Sequence, residues 1–236
     1  MQTNWEAGLI WYGVFLFSTV LHEAAHAWAA LKLGDNTAAR GGQVSLNPWP
    51  HVRREPLGMV IVPLISWMAG GWLFGWASAP FNPEWARRNP RHAALMALAG
   101  PAANLLLVIS AAWLIRIVVE WDWLGAPSHL NSYHFVTVTH TGWPEEIGSV
   151  LSVVLSLNLL LFAFNLLPLP PLDGSNAPLL LLPPSAAARY ADALRAPWLR
   201  MVGVLAAVRL INPLFQPLLI FVANLVYPHS HYLRLP

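Results

Sequence analysis

The chain has 236 residues, of which 56% are hydrophobic and only 10% are charged. Soluble domains carry about a quarter charged residues, so this composition excludes an ordinary soluble domain and indicates a membrane protein in contact with a lipid bilayer. The net charge of +2 is too small for a nucleic-acid-binding surface, and no nucleic-acid partner is expected. The absence of Cys excludes disulfides and thiolate metal ligands.

Five apolar stretches approach the roughly 20 residues that a helix needs to cross a bilayer. They are residues 7–31, 57–77, 92–119, 148–167 and 201–227. The first is too long for a signal peptide and has no basic residue ahead of it, so we expect it to be retained. The last contains prolines and is interpreted as one helix or two.

These stretches predict an all-α polytopic membrane protein with about four to six membrane helices. We expect one membrane-embedded domain over residues 1–236. Its core covers about residues 7–185, and an additional C-terminal helix or helices cover about residues 198–227.

Charges between the apolar stretches predict the orientation of the chain. Segments 32–56, 78–91 and 168–200 contain Arg or Lys, whereas segment 120–146 is acidic and contains neither. The positive-inside rule places the basic segments in the cytoplasm and the acidic segment outside the cell membrane. The stretch 57–77 has basic segments on both sides, which favours a re-entrant hairpin over a crossing. An ordinary span with one mis-sorted loop is the alternative.

His22, Glu23 and His26 form the motif His-Glu-Ala-Ala-His within the first apolar stretch. Residues four apart lie on one face of a helix, so both imidazoles can reach one metal ion. Glu23 then lies beside the open position, where it can take a proton from the attacking water. A Glu in an apolar membrane helix costs about 2.5 kcal/mol or more, which favours a functional role. The alternative is that the three residues only bond neighbouring helices.

Asp173 is the candidate for a third metal ligand, because two histidines and a water leave a zinc site one protein ligand short. It lies in Pro-Leu-Pro-Pro-Leu-Asp-Gly at residues 168–174, where prolines prevent a helix. An Asp-Gly pair alone is typical of a turn. The charge rule, however, places Asp173 at the depth of His22 and His26, so we expect these three residues to bind one Zn²⁺ per chain.

Three motifs together resemble the site-2 proteases, membrane zinc peptidases that cleave within or near transmembrane segments. The motifs are His-Glu-Ala-Ala-His at 22–26, Ala-Gly-Pro-Ala-Ala-Asn at 99–104 and Phe-Asn-Leu-Leu-Pro-Leu-Pro-Pro-Leu-Asp-Gly at 164–174. The chain is most similar to the small branch that lacks PDZ and CBS domains. That branch shares Asn47, Pro48 and His51, although Arg53 and Arg54 follow here where an acidic residue is common.

The resemblance implies regulated intramembrane proteolysis of a membrane-protein substrate with a transmembrane helix, with the active site toward the cytoplasm. It further implies that His22, His26 and Asp173 bind zinc and that Glu23 is the catalytic base. Asn165 matches a family asparagine that steadies the oxyanion or a ligand. A helix cap or an interhelical hydrogen bond is the alternative for Asn165.

Other features receive interpretations outside the catalytic set. Asn104 is expected to satisfy the carbonyl of Ala97, which Pro101 deprives of its helical donor. Residues 42–48 are expected to contain a short edge strand that pairs with an extended substrate. The outer histidines are interpreted as scattered surface residues, not as a second metal site: His129, His134 and His140.

A zinc-binding membrane protein without protease activity, such as a transporter or a sensor, is the rival function. Transport folds often contain paired repeats, and the sequence has none. A transport site also has no need of Glu23 beside the two histidines, so the motif favours the protease.

Overall fold

The computed structural model describes residues 5–70, 73–130, 135–139, 142–230 and 232. Over these residues the protein is mainly helical, with one small antiparallel ladder. The elements in chain order are α1 (Trp5–Lys32), α2 (Thr37–Arg40), α3 (Pro48–Arg54), a π-helical turn (Leu57–Ile61), α4 (Val62–Gly70), α5 (Pro83–Arg88), α6 (Pro90–Glu120), β1 (Leu124–Gly125), β2 (Thr137–Val138), α7 (Trp143–Asn165), a 3₁₀ helix (Asp173–Leu180), α8 (Pro184–Leu194) and α9 (Pro197–Val226).

Four helices within the described residues are long and apolar enough to cross a membrane: α1, α6, α7 and α9. The π turn and α4 form a further, shorter apolar helix. The predicted all-α polytopic architecture is therefore confirmed. The last apolar stretch is one helix, because α9 continues for 30 residues through Pro213 and Pro217.

The apolar stretch that begins at Leu57 folds as a hairpin. After α4 the chain returns as an extended arm, residues 73–82. The backbone N–H of Trp76 donates to the carbonyl of Gly58 at 3.0 Å, and a Cβ on Gly58 would overlap the Trp76 carbonyl. Near the base, Arg54 Nε donates to the carbonyl of Ser78 at 3.1 Å. The two ends of the stretch 57–77 therefore lie next to each other, as the hairpin interpretation predicts.

The prediction of a short strand at residues 42–48 is wrong. The segment consists of turns and bends, with Gly42 at φ +75°. The backbone N–H of Asn47 donates to Ser45 Oγ at 3.0 Å, and Asn47 Oδ1 in turn accepts from the first turn of α3. These side-chain bonds offer the backbone an alternative to a ladder. The Asn-Pro pair therefore begins a helix, with Pro48 at its first position.

Buried apolar side chains differ between the two ends of the bundle. At the loop end, which carries the β1–β2 ladder, large residues of α6, α7 and α9 pack together: Val108, Ile115, Leu155, Leu159, Phe215 and Leu219. At the basic end, which carries α2, α3 and α5, alanines predominate among the buried apolar residues, which are Ala29, Ala30, Ala94, Ala187, Met96 and Leu179. Small residues let helix backbones approach closely.

Asp35 joins the end of α1 to the extended arm. Its buried carboxylate accepts from the backbone N–H of Thr37 at 3.0 Å and from that of Asn82 at 2.7 Å. Burial alone would raise the pKa of Asp35, but the hydrogen bonds from Thr37 and Asn82 outweigh it and lower the pKa below its ordinary value. Asn82 also caps α5 by accepting from Glu84 N at 2.9 Å.

Candidate active site

His22, His26 and Asp173 converge between α1 and the 3₁₀ helix. The two Nε2 atoms of the histidines are 2.9 Å apart. Asp173 Oδ2 lies 3.2 Å from His22 Nε2 and 3.4 Å from His26 Nε2. The histidines are one turn apart on α1, and the prolines after α7 lead the chain back so that the carboxylate faces them.

Glu23 and Asn165 lie in the same cavity as these three residues. Glu23 is buried, and its carboxylate lies within 4.8 Å of ligand atoms of both histidines. Asn165, the last residue of α7, is half-buried. The cavity has a volume of about 910 Å³ and is lined by His22, His26, Asp173, Glu23 and Asn165 among others. All five residues predicted from the sequence are thus brought together.

A chain of buried amides supports His22 from the side away from the cavity. His22 Nδ1 lies 2.6 Å from Asn104 Oδ1, Asn104 Nδ2 donates to Asn158 Oδ1 at 2.8 Å, and Asn158 Nδ2 donates to Ser18 Oγ at 2.9 Å. We call His22, Asn104, Asn158 and Ser18 the asparagine chain. It joins α1, α6 and α7, and its two amides and hydroxyl are fully buried.

The expected role of Asn104 is therefore wrong. Its amide binds His22 and Asn158, not the carbonyl of Ala97. The signal available in the sequence was the Asn itself, because a buried amide in a membrane helix requires a partner. Its two partners lie 82 and 54 residues away, so the sequence did not identify them.

Hydrogen bonds at Nδ1 fix the tautomer of both imidazoles. His26 Nδ1 lies 2.8 Å from the backbone carbonyl of Met96, which can only accept, so Nδ1 carries the proton. At His22 the amide of Asn104 donates to Asn158, which leaves its oxygen to accept from Nδ1. The Nε2 atom of each ring, which faces Asp173, is therefore the nitrogen available to bind a metal.

Gly100 of α6 lies directly against the two imidazoles. A Cβ at this position would overlap the Nε2 atoms of both His22 and His26. Hydrogen in place of a side chain therefore keeps the space between α6 and the three ligand atoms open. Gly100 belongs to the motif at residues 99–104. That motif allows the close approach of α6 to the imidazoles and also supplies the side chain of Asn104.

The donor set fits zinc. Two neutral imidazoles and one carboxylate are a common three-ligand arrangement, with the fourth position left for water. The carboxylate of Asp173 is the anionic donor of this set. The described part of the chain offers no second cluster of this kind.

Glu55 is an acidic residue of the cavity wall that the motif analysis did not identify. It follows Arg54 directly, lines the cavity and accepts a hydrogen bond from Ser78 Oγ. His51 is buried nearby on α3, and its Nε2 lies 3.0 Å from the carbonyl of Ser45. The segment that begins at Asn47 thus supplies an acidic residue to the cavity, two positions after Arg53.

Of the outer histidines only His129 lies within the described residues, and it does not line the cavity. His129 is exposed, in agreement with its interpretation as a surface residue. The predictions for His134 and His140 lie outside the described residues.

A His-His-Asp donor set with buried imidazoles and a second, buried carboxylate beside it, held between apolar helices, defines a membrane-embedded metalloenzyme. The model of Peptidase family M50, the site-2 protease family, matches residues 11–205, and the chain belongs to this family. The protein is accordingly a zinc metalloendopeptidase and an integral membrane protein, as predicted, with Zn²⁺ as its cofactor.

Two relatives bear names of the same kind. The "Putative zinc metalloprotease YwhC" of Bacillus subtilis (strain 168) is 34% identical over 179 residues, which cover 75% of this chain and 71% of the relative. The "Putative zinc metalloprotease Rip2" of Mycolicibacterium smegmatis (strain ATCC 700084 / mc(2)155) is 29% identical over 163 residues, covering 69% of this chain. The match spans about half of Rip2, at 53%. No solved structure matches the chain.

Proposed function

We propose that the protein is an intramembrane endopeptidase that cleaves transmembrane or membrane-proximal segments of membrane proteins. One observation carries the proposal: the ligand atoms of His22, His26 and Asp173 face one cavity between helices long enough to span a bilayer. A substrate segment must unwind locally to present its peptide bond, and the open cavity of about 910 Å³ leaves room for an extended segment.

In this proposal each of the five residues has one role. His22, His26 and Asp173 hold the zinc, which when bound supplies a Lewis acid that polarises the scissile carbonyl and makes water more acidic. Glu23 accepts a proton from the attacking water and returns it to the leaving amine. The amide of Asn165 donates a hydrogen bond to the oxyanion that develops on the substrate.

The cavity is proposed to open toward the cytoplasm of a cell-membrane protein. Its wall includes Glu55, Arg195, Arg200 and residues 78–81, which belong to segments that the positive-inside rule assigns to that side. Water has to arrive from there because the bilayer core supplies none. We further propose residues 7–185 as the catalytic core and the helix of residues 198–227 as an addition to it.

Zinc content tests the ligand set first. The purified protein should contain one zinc per chain, and Asp173→Ala should bind zinc much more weakly, because two ligands remain of three. Metal analysis after dialysis against a graded series of chelator concentrations measures the difference. Equal zinc retention by the two proteins would remove Asp173 from the site.

Glu23→Gln tests catalysis and separates the protease from a transporter or sensor. The variant should keep its zinc and lose cleavage, because an amide cannot accept the water's proton. Cells that express the wild type should contain new peptide termini within or beside apolar spans of membrane proteins, and cells with Glu23→Gln should lack them. If the same termini persist with Glu23→Gln, or arise only in soluble domains, the proposed function fails.

A further inference from the structure

Helix α9 carries three polar side chains near its centre on its exposed surface. Arg209, Asn212 and Gln216 are exposed, and their spacing of three and four residues places them on one side of the helix. We call these three residues the polar stripe. Large residues around it, such as Leu210 and Leu214, are exposed and apolar, as expected for contact with lipid.

The polar stripe lies along the middle of α9, away from both ends of the helix. At 1.5 Å per residue, Arg209 is about 18 Å of helix from Pro197 and about 25 Å from Val226. Within the described part of the chain, none of the three side chains has a hydrogen-bond or ion-pair partner. Unpaired arginine at such a depth is costly, and membrane proteins pair it with protein or with a water-filled cavity.

The backbone beneath the polar stripe also lacks donors. Pro213 has no N–H to give to the carbonyl of Arg209, and Pro217 has none for the carbonyl of Pro213. In hydrocarbon such carbonyls are satisfied by neighbouring helices. Side chains and backbone at one place on α9 therefore both offer polar groups that another membrane segment can satisfy.

We propose that the polar stripe binds a membrane-spanning helix of a second protein that carries an Asp or Glu near its middle. The argument is charge complementarity: Arg209 presents an unpaired positive charge, and the partner supplies the carboxylate. The surface borders the cavity, because Val204, Val208 and Arg200 of the same helix line its wall. A helix bound there lies beside the entrance to the active site.

A second copy of this chain does not fit the polar stripe. The acids of its spanning helices are Glu6, Glu120, Glu145 and Glu146 at helix ends and Glu23, which is buried in the active site. None offers an exposed carboxylate at mid-depth. A symmetric pairing through α9 would instead place Arg209 against Arg209.

The probe is a labelled 24-residue leucine-alanine helix with one central Glu, compared with versions that carry Gln or Leu there. Each is reconstituted with the full-length protein in phosphatidylcholine vesicles, and association is measured by energy transfer to a dye on the protein. We expect the Glu helix to bind about tenfold more tightly than the Leu helix. Equal binding of the Glu and Leu helices to the wild type would overturn the proposal.

Variants of the protein test whether Arg209 is responsible for the preference for the Glu helix. Arg209→Gln should abolish the preference for the Glu helix, and Arg209→Lys should keep most of it. Arg200→Gln is the matched control, because it removes one positive charge from the same helix outside the polar stripe. A preference that survives Arg209→Gln, or energy transfer between two labelled copies of the protein that depends on Arg209, would overturn the proposal, the latter in favour of self-association.

Discussion

The amide of Asn104 is expected to matter for zinc although it is not a ligand. Asn104→Leu keeps the approximate volume but removes the acceptor that holds the proton of His22 on Nδ1. Loss of such a partner typically lowers metal affinity about 10–100-fold. Chelator competition should therefore remove zinc from Asn104→Leu at lower chelator concentration than from the wild type.

Ser110→Ala is the matched control for Asn104→Leu. Ser110 is a polar residue of the same helix, but it is exposed and its hydroxyl donates only to the carbonyl of Leu106. Zinc retention by Ser110→Ala should equal that of the wild type. Unchanged zinc affinity in Asn104→Leu would show that Asn104 has only a packing role.

Gly100→Ala tests the close approach of α6 to the imidazoles. The added methyl group would overlap both Nε2 atoms, so we expect loss of zinc even though alanine favours a helix over glycine by about 1 kcal/mol. Gly13→Ala is the control, because a Cβ at Gly13 meets nothing within 4 Å. It should retain zinc and melt at an equal or higher temperature. Full zinc occupancy in Gly100→Ala would contradict the geometry.

At this scale the sequence predicted the residues that are proposed to bind zinc and react, but not those that support them. His22, Glu23 and His26 are recognisable because one helical turn brings them together, and that spacing is local. Asp173 required the charge rule and the family resemblance in addition. Asn104 and Asn158 were not predicted because their partners are set by how three helices pack, which spacing along one helix does not determine.

At the scale of secondary-structure elements, the hydrogen bonds by which Asp35 connects the end of α1 to the extended arm predict that the stability of the protein depends on pH. Its pKa is lowered in the folded protein, so its stabilising contribution is complete above the ordinary pKa of about 3.9 and is lost as the pH falls through the lower, folded value. The melting temperatures of the wild type and Asp35→Asn should thus differ most between about pH 5 and 7 and should converge in more acidic solution. This pH window is estimated from the ordinary pKa of Asp, about 3.9.

Asp192→Asn is the control for Asp35→Asn. It also removes a carboxylate, but Asp192 is exposed and its ion pair with Arg87 lies in water, where such pairs contribute at most about 1 kcal/mol. Its melting temperature should stay close to that of the wild type throughout. A constant difference between wild type and Asp35→Asn across this pH range would contradict the assigned hydrogen bonds.

The long helices were predictable from the sequence, and the short elements were not. Continuous apolar composition is enough to predict α1, α6, α7 and α9 to within a few residues. The expected strand at 42–48 failed because Ser45 and Asn47 form side-chain bonds to the backbone that alternation of residue types does not reveal. The same Asn-Pro pattern recurs at Asn82, where it begins α5.

For the whole molecule, the hairpin predicts which segments share a side of the membrane. The chain has no Cys, so single introduced cysteines at Arg53, Glu84 and His129 are the only thiols in each variant. A membrane-impermeant maleimide should label His129→Cys in intact cells, and Arg53→Cys and Glu84→Cys only after permeabilisation. Labelling of Arg53→Cys and Glu84→Cys from opposite sides would mean that the stretch 57–77 crosses the membrane.

The asparagine chain has a consequence for how the protein is assembled. Lipid tails are as apolar as leucine, so apolar surfaces alone do not fix how far one membrane helix slides along another. Ser18, Asn158, Asn104 and His22 can bond in sequence only when α1, α6 and α7 stand at one relative height. The vertical alignment of the helices is therefore set by atoms that do not themselves bind the metal, so the depth at which the zinc site lies is fixed by the same bonds that align the bundle.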